Sequence, residues 1–508
     1  MAVVLAPLLL VDVPPLLDYP NHLARAFVLS GDDPVLLHFY RPHWALIPNL
    51  GLDLLLPQLM TWLPVNDAGR LMLGFSLVLP VIGVVAYSRA AFGQASWWSL
   101  GALLVACNGT FLLGFLNFQL AIGLALLFGA SWVRFRQTRP AMTIVLCSLG
   151  AAALFFCHLM GVLALLLLVG SYEIVRPAPM RRALLAAPLA LVPALLFMAS
   201  ALRGVSTEIQ WEPWPQKLLH AAIAVLNYDV RIDIVSAVAV AGLIVLLAVQ
   251  RRMSIPAPSR WALGLCAALY LATPFTFKGT LFTDVRFAAL FGFLLFATMR
   301  PVRLPRRLAY GMAACGAGLL VLRTTVVADV WYQHRADLVE LRAAIAPVEP
   351  GSRVLLATVS EAEAQAAWHG PLRRELLSDG TRLDMHSAAL LLIERRAFWP
   401  FLFAEASQQP IALRSPYSEI AAQTVNIPDT AQLSASAMRA GDEDVFPMEG
   451  HWQCCYDYVL LLEAGAAPGF TDPYLQPVVQ TRYATLFRVL RTPRLLGSAA
   501  PGRRSVPS

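Results

Sequence analysis

Lysine is almost missing from this chain: of 39 basic residues only Lys217 and Lys278 are lysines, and the rest are arginines. Charge of either sign is scarce, at 14% of residues against roughly 25% in soluble domains. That scarcity excludes an ordinary soluble enzyme. The net charge of +7 sits on arginines in short loops between apolar spans. No basic run interleaves with aromatics, so nucleic acid is excluded as a partner. There is no Gly-rich phosphate loop, no GxSxG elbow and no HExxH pair, so none of those soluble catalytic classes applies. The seven cysteines form no zinc spacing. Cys107, Cys147, Cys157, Cys266 and Cys315 lie in apolar spans and read as small core residues, and the adjacent Cys454 and Cys455 have no evident partner. The start has no basic n-region and no small-residue cleavage site, so a cleaved signal peptide is not expected. Fewer residues precede Pro14 than a full span needs, which suggests a short first span and a start codon placed too late. Internal repeats are also missing, which counts against a transporter built from repeated halves.

What the chain does have is hydrophobicity, at 58% of residues. Apolar runs recur at 2–15, 70–88, 97–116, 118–133, 141–157, 159–175, 183–202, 233–250, 261–276, 285–299 and 308–326, about eleven spans of membrane-crossing character. Alternate loops carry the arginines: Arg134, Arg136 and Arg139 in one, Arg251, Arg252 and Arg260 in another, and Arg300, Arg303, Arg306 and Arg307 in a third. Positive charge stays in the cytoplasm. The N-terminus is therefore expected there, with the 16–69, 203–232 and 277–284 loops and everything after 327 outside. Asn117 and His158 fall at outer hairpin turns, where a plain turn residue is weighed against the lining of a polar cavity.

After 330 the composition changes. VWYQHRADLVELRAAI has helical spacing, and RVLLATV, YDYVLLL and ATLFRVLR have strand character. HSAALLLIERRAFWPFLFA reads as an amphipathic helix running into an apolar segment. These elements predict a transmembrane domain over 1–330, an external α/β domain over 335–490 and a disordered tail over 491–508.

Polar chemistry gathers in the loops assigned to the outside. LLDYPNHLAR, residues 16–25, places Asp18 before Pro20, a helix-start signal. A helix from there puts Asp18, His22 and Arg25 on one face, with Asn21 beside them. A capping Asp is the plain reading. The functional reading is a carboxylate acting as base toward a sugar hydroxyl, or an Asp18–His22 pair holding a divalent ion. The same loop contains Asp32 and Asp33, between Gly31 and Pro34, where a turn is the leading reading. TFKGTLFTDVRFAAL sets Lys278, Asp284 and Arg286 at the mouth of a span, either as a surface pair or as a cationic site for a phosphate, with Arg231 and Arg323 as further candidates. Trp211 and Trp214 read as interface anchors.

This layout resembles the GT-C superfamily, the polytopic glycosyltransferases that take sugars from polyprenyl-phosphate carriers, among them protein mannosyltransferases and aminoarabinose transferases. The resemblance rests on a first span, a long outer loop with an early Asp in LLDYPNHLAR, hairpin spans and an external C-terminal α/β domain. It implies a mainly α membrane fold in a bacterial inner membrane, with a long first periplasmic loop and a C-terminal periplasmic domain. It further implies a polyprenyl-phosphate-linked sugar and membrane lipids as partners. By position it assigns Asp18 as base or metal ligand, and Lys278 and Arg286 to the lipid phosphate; on the reading of the residues themselves His22 is expected to assist Asp18, and Asn21, Arg25 and Asp284 to contact substrate. Many members carry adjacent acidic residues near the catalytic position, so Asp32 and Asp33 stay in competition with Asp18. The rivals to transfer are a non-catalytic envelope-assembly protein of the same fold and a transporter or flippase.

Overall fold

The computed structural model describes residues 1–177, 179–200, 208–360, 376–421, 427–434, 452–463, 465, 467 and 469–490. The expected disordered tail at 491–508 lies outside them. Among the described residues, five helices are long and apolar enough to cross a membrane: Val65–Phe92, Leu116–Phe135, Pro140–Cys157, Val230–Val249 and Arg306–Ile345. Shorter apolar helices, Leu159–Glu173 and Val285–Thr298 among them, pack into the same bundle. The chain is a multi-pass membrane protein.

The bundle is centred on Val65–Phe92 and Leu116–Phe135, which touch along much of their length. Glycines permit this. A Cβ on Gly83 would come 2.7 Å from the Gly123 carbonyl oxygen, and one on Gly123 would come 2.8 Å from the Pro80 nitrogen. Backbones approach this closely in membranes only where side chains are absent. Where the pair meets Leu159–Glu173, the Trp132 indole donates to Glu173 at 2.9 Å. By contrast Val230–Val249 and the first half of Arg306–Ile345 leave most of their apolar surface uncovered by protein.

Two expected spans are not single helices. Residues 2–15 form only the helix Ala2–Leu5 and the 3-10 turn Ala6–Leu9. Pro7, Pro14 and Pro15 prevent a longer helix. Residues 97–116 form a 3-10 helix Trp97–Val105 and a separate turn Gly109–Leu112 capped by Asn108. The chain turns again before the next helix where Gly114 takes φ +83, a left-handed conformation that Gly adopts without a Cβ penalty.

The last long helix, Arg306–Ile345, has 40 residues and runs unbroken through 330–335, where composition placed a boundary. It leads into a four-stranded sheet. Val354–Thr358 pairs in parallel with Tyr458–Leu462, which pairs antiparallel with Ala484–Val489, which pairs antiparallel with the edge strand Leu475–Gln480. The first three strands match the expected ones. The edge strand, interrupted by Pro477, had too little apolar alternation to be read. The predicted amphipathic helix over 386–404 does not form. Ser387–Ala389 and Leu391–Arg395 are single irregular turns, and Arg396 turns the chain at φ 53. This segment is buried on nearly all sides, so no polar face exists for a helix to present.

That buried segment lies on the first loop. Tyr40–Pro42 pairs with Ile411–Leu413, and the Tyr40 hydroxyl donates to the Trp399 carbonyl at 2.9 Å. Arg342 bridges Asp12 at 2.5 Å and Glu394 at 2.9 Å. The N-terminal loop and the C-terminal half therefore form one packed cap on one end of the bundle.

Candidate functional site

Helix Tyr19–Ser30 starts as the sequence predicts, with Pro20 in its first turn. Asp18 stands at the N-cap position, yet its carboxylate accepts no capping hydrogen bond. Its backbone is held from below, where Leu17 and Asp18 donate to the Leu112 and Leu113 carbonyls at 3.1 and 3.2 Å. Gly114 lies so close that a Cβ there would sit 2.8 Å from the Asp18 nitrogen. The plain capping role belongs instead to Asp33, which accepts from the amides of Val35 and Leu36 at 3.0 and 3.4 Å and pairs with Arg396 at 3.0 Å. Asp32 is exposed. Of the competing acidic groups, Asp33 is engaged in holding local structure and Asp32 faces solvent, whereas the Asp18 carboxylate is uncapped and turned to the protein, 3.3 Å from His386.

The neighbours of Asp18 divide into supports and candidates. Asn21 is a support: its amide donates to the Phe401 carbonyl at 2.8 Å and accepts from the Phe403 amide at 2.9 Å. Arg25 is a support too. It forms a two-pronged pair with Asp53 at 2.7 and 3.0 Å, and both side chains are 1% exposed. Arg25 also donates to His22 Nδ1 at 3.1 Å. Asn21 thus spends its amide on the cap backbone, while Arg25 keeps one terminal nitrogen, Nη1, buried without a hydrogen-bond partner among the described residues.

The Arg25 contact decides the state of His22. With Nδ1 accepting, the ring hydrogen belongs on Nε2. Burial, followed by the charges of Arg25 and His386, pushes His22 well below the ordinary histidine range. His22 Nδ1 is thus engaged by Arg25, whose guanidinium lies alongside the ring. Among the described residues, no group of three or more His, Cys, Asp or Glu is placed to hold a metal ion. A histidine kept neutral in the fold has a sign consequence. Its folded pKa is lowered, so the unfolded chain binds the proton more readily. The stability from His22 is complete above its ordinary value of 6.5 and declines as pH falls below it. Melting temperatures taken from pH 7.5 to 5.5 are expected to drop, and His22→Phe is expected to flatten that slope.

Arg286 approaches Asp18 from the bundle. It lies in the first turn of Val285–Thr298 and is 7% exposed. One terminal nitrogen donates to the Leu281 and Phe282 carbonyls, each at 2.9 Å. The guanidinium lies 4.6 Å from the Phe115 ring centroid and within electrostatic reach of Asp18 and Asp284. Its Nε is buried and has no hydrogen-bond partner among the described residues. A fixed guanidinium with an unused donor is a ready contact for an anion.

Asp284 does not pair with Arg286 in the surface manner considered. It caps Val285 at 2.9 Å and pairs with Lys217 at 2.9 Å, completely buried. Lys217 also donates to the Thr273 carbonyl at 2.6 Å. Lys278 lies on a tight turn at φ 51, half-buried, and its ammonium has no ion-pair partner among the described residues. Arg323 is tied to Asp233 at 3.1 Å in another part of the bundle, and Arg231 is exposed. Asn117 and His158 are turn and cap residues. Asn117 bonds Asn49 and Leu52 at 2.7 Å each, and His158 accepts from Met160 at 3.0 Å.

Two site residues were not found from sequence. Lys217 had no signal beyond being one of two lysines. His386 comes from the cap segment, and its Nδ1 lies 3.3 Å from Asp18 Oδ1. Its ring is 3% exposed and packs edge-on against Phe403, at 5.0 Å between centroids.

No protein-family model matches the chain, and no curated protein matches it. Solved structures do. ArnT from Cupriavidus metallidurans bound to undecaprenyl phosphate aligns with TM-score 0.50 and 13% identity, covering 98% of this chain and 98% of that one. ArnT from the same organism in the apo state aligns with TM-score 0.48 and 11% identity, covering 96% and 95%. The first of these likenesses establishes the fold. This chain shares the fold of that ArnT over nearly its whole length.

Proposed function

We propose that this GT-C-fold protein is a membrane glycosyltransferase that moves a sugar from a polyprenyl-phosphate carrier to an acceptor hydroxyl on the periplasmic side. The observation that carries the reading is the Asp18 carboxylate, uncapped, at the head of helix Tyr19–Ser30 and within reach of the Arg286 guanidinium. A base beside a fixed cation suits this displacement. The acceptor oxygen attacks the anomeric carbon as its proton passes to Asp18. The bond from that carbon to the phosphate oxygen breaks, and its electron pair leaves with the polyprenyl phosphate. A direct displacement inverts the anomeric centre. Arg286 meets the charge that develops on the departing phosphate, the place where fixed donors contribute most. Lys278, without an ion-pair partner among the described residues, is the second cation assigned to the phosphate. No step requires a metal.

Sidedness follows from charge. Helices Leu116–Phe135 and Val285–Thr298 start beside the site and run away from it toward Arg134, Arg136 and Arg139 and toward Arg300, Arg303, Arg306 and Arg307. With arginine-rich ends in the cytoplasm, the site and the C-terminal sheet face the periplasm of a bacterial inner membrane.

Transfer from a panel of radiolabelled polyprenyl-phosphate sugars into membrane vesicles tests the reading. Product with one donor, lost in Asp18→Asn, supports it. A normal cellular phenotype from Asp18→Asn at normal protein level would favour the non-catalytic assembly role. Arg286→Ala is expected to weaken polyprenyl-phosphate binding about 10- to 100-fold, the worth of a charge-assisted hydrogen bond, as measured by lipid titration in detergent.

A further inference from the structure

We propose that His386, supplied by the C-terminal half of the chain, is a positioning residue that aims Asp18 by donating a hydrogen bond from Nδ1 to Oδ1. This rests on the glycosyl-transfer reading of the site. The geometry comes from two directions. Asp18 is fixed through its backbone to Leu112 and Leu113. His386 is fixed through its ring, edge-on to Trp399 at 5.9 Å and to Phe403 at 5.0 Å. The segment carrying those rings is itself fastened to the first loop by Asn21 and Tyr40. The two groups therefore meet because each is held separately, and neither is needed to hold the other.

His386 Nδ1 is buried and has no hydrogen bond among the described residues, although Asp18 Oδ1 is 3.3 Å away. The distance suits a bond and the alignment does not yet. Catalytic contacts are often loose before substrate arrives and tighten in the complex. A small rotation of the Asp18 carboxylate closes this one. An imidazole with a hydrogen on Nδ1 then holds one carboxylate oxygen, and the other is left to take the acceptor proton. His22 cannot serve in this way, because its Nδ1 already accepts from Arg25. The consequence is that the transmembrane half does not contain a complete site: the cap contributes the group that orients the base.

The test uses the full-length protein in detergent or nanodiscs, with His386→Leu removing the donor and His386→Asn restoring an N–H near the Nδ1 position. His386→Leu is expected to lower kcat about 10- to 100-fold while KM for the lipid donor stays within about twofold. His386→Asn is expected to recover most of the rate. A second readout does not depend on turnover: the infrared carboxylate band assigned to Asp18 by difference against Asp18→Asn. That band is expected to shift in His386→Leu and to return in His386→Asn, with melting temperatures recorded for each. The proposal is overturned if His386→Leu transfers sugar like the wild type. It is also overturned if the Asp18 band is unmoved in a folded His386→Leu protein. A wild type inactive with every donor but showing the band shift would remove the transferase reading and leave the His386–Asp18 bond standing.

Discussion

Asp18→Asn is expected to cut sugar transfer by about 10²- to 10⁴-fold, the usual contribution of a positioned base, with folded protein recovered at the wild-type level. The second half of that expectation is the sharper one. Replacing an N-cap Asp costs about 0.5–2 kcal/mol where the carboxylate accepts from the helix amides. Here it accepts from none, so no capping energy is lost. Asp33→Ala serves as the opposite control. Its carboxylate caps the helix Pro34–Phe39 and pairs with Arg396, so this change should lower the melting temperature and leave the rate per folded molecule nearly unchanged. The two substitutions, scored for rate and for thermal stability, separate the acidic groups that the sequence left in competition. Equal loss of rate in both, or loss of fold in Asp18→Asn, would count against a base at Asp18.

Arg25→Ala is expected to destabilise the protein by about 3–5 kcal/mol, because it strands a buried carboxylate without its partner. Asp53 is 2% exposed and receives both prongs of the guanidinium. Asp53→Ala should be comparably damaging, although Asp53 lies on a different helix, Gly51–Met60, and carries no proposed role in transfer. The paired change Arg25→Met with Asp53→Leu should restore most of the stability, since apolar replacements of similar size remove both charges together. Fluorescence-detected thermal melting of the four proteins in one detergent checks this. If Arg25 instead contacts substrate, Arg25→Ala melts normally and the paired variant gains nothing.

The sequence disclosed the parts of the fold whose signal is local. Asp18 before Pro20 marked a helix start, and one appears there. VLLAT, YVLLL and ATLFRV carried enough β-branched and apolar density to be read as strands, and they are three strands of one sheet. The arginine loops marked one end of the bundle. What stayed hidden depended on partners remote in the chain. The 97–116 run is apolar throughout, so its hydrophobicity could not reveal that Gly114 turns the backbone to meet Asp18. The 386–404 run has helical spacing, yet burial on all sides by the first loop makes it irregular. Asn21 and Arg25 share a helical turn with Asp18, and spacing alone could not show that their polar atoms face Phe401, Phe403 and Asp53. His386 is the clearest case. Nothing around it in HSAALLLIERR distinguishes it, because its significance arises only from the 3.3 Å approach to Asp18.

The unbroken helix Arg306–Ile345 makes the protein a lever. At 1.5 Å per residue it measures about 60 Å, roughly twice the hydrocarbon thickness of a bilayer. Its lower arm lies among lipids with little protein around it, while its upper arm carries Arg342, which grips both Asp12 and Glu394. Spans answer changes in bilayer thickness by tilting. A tilt of about 10° at the fulcrum carries the far end of a ~30 Å arm through about 5 Å. A tilt of that size would move the end of the helix that Arg342 fastens to Asp12 and Glu394.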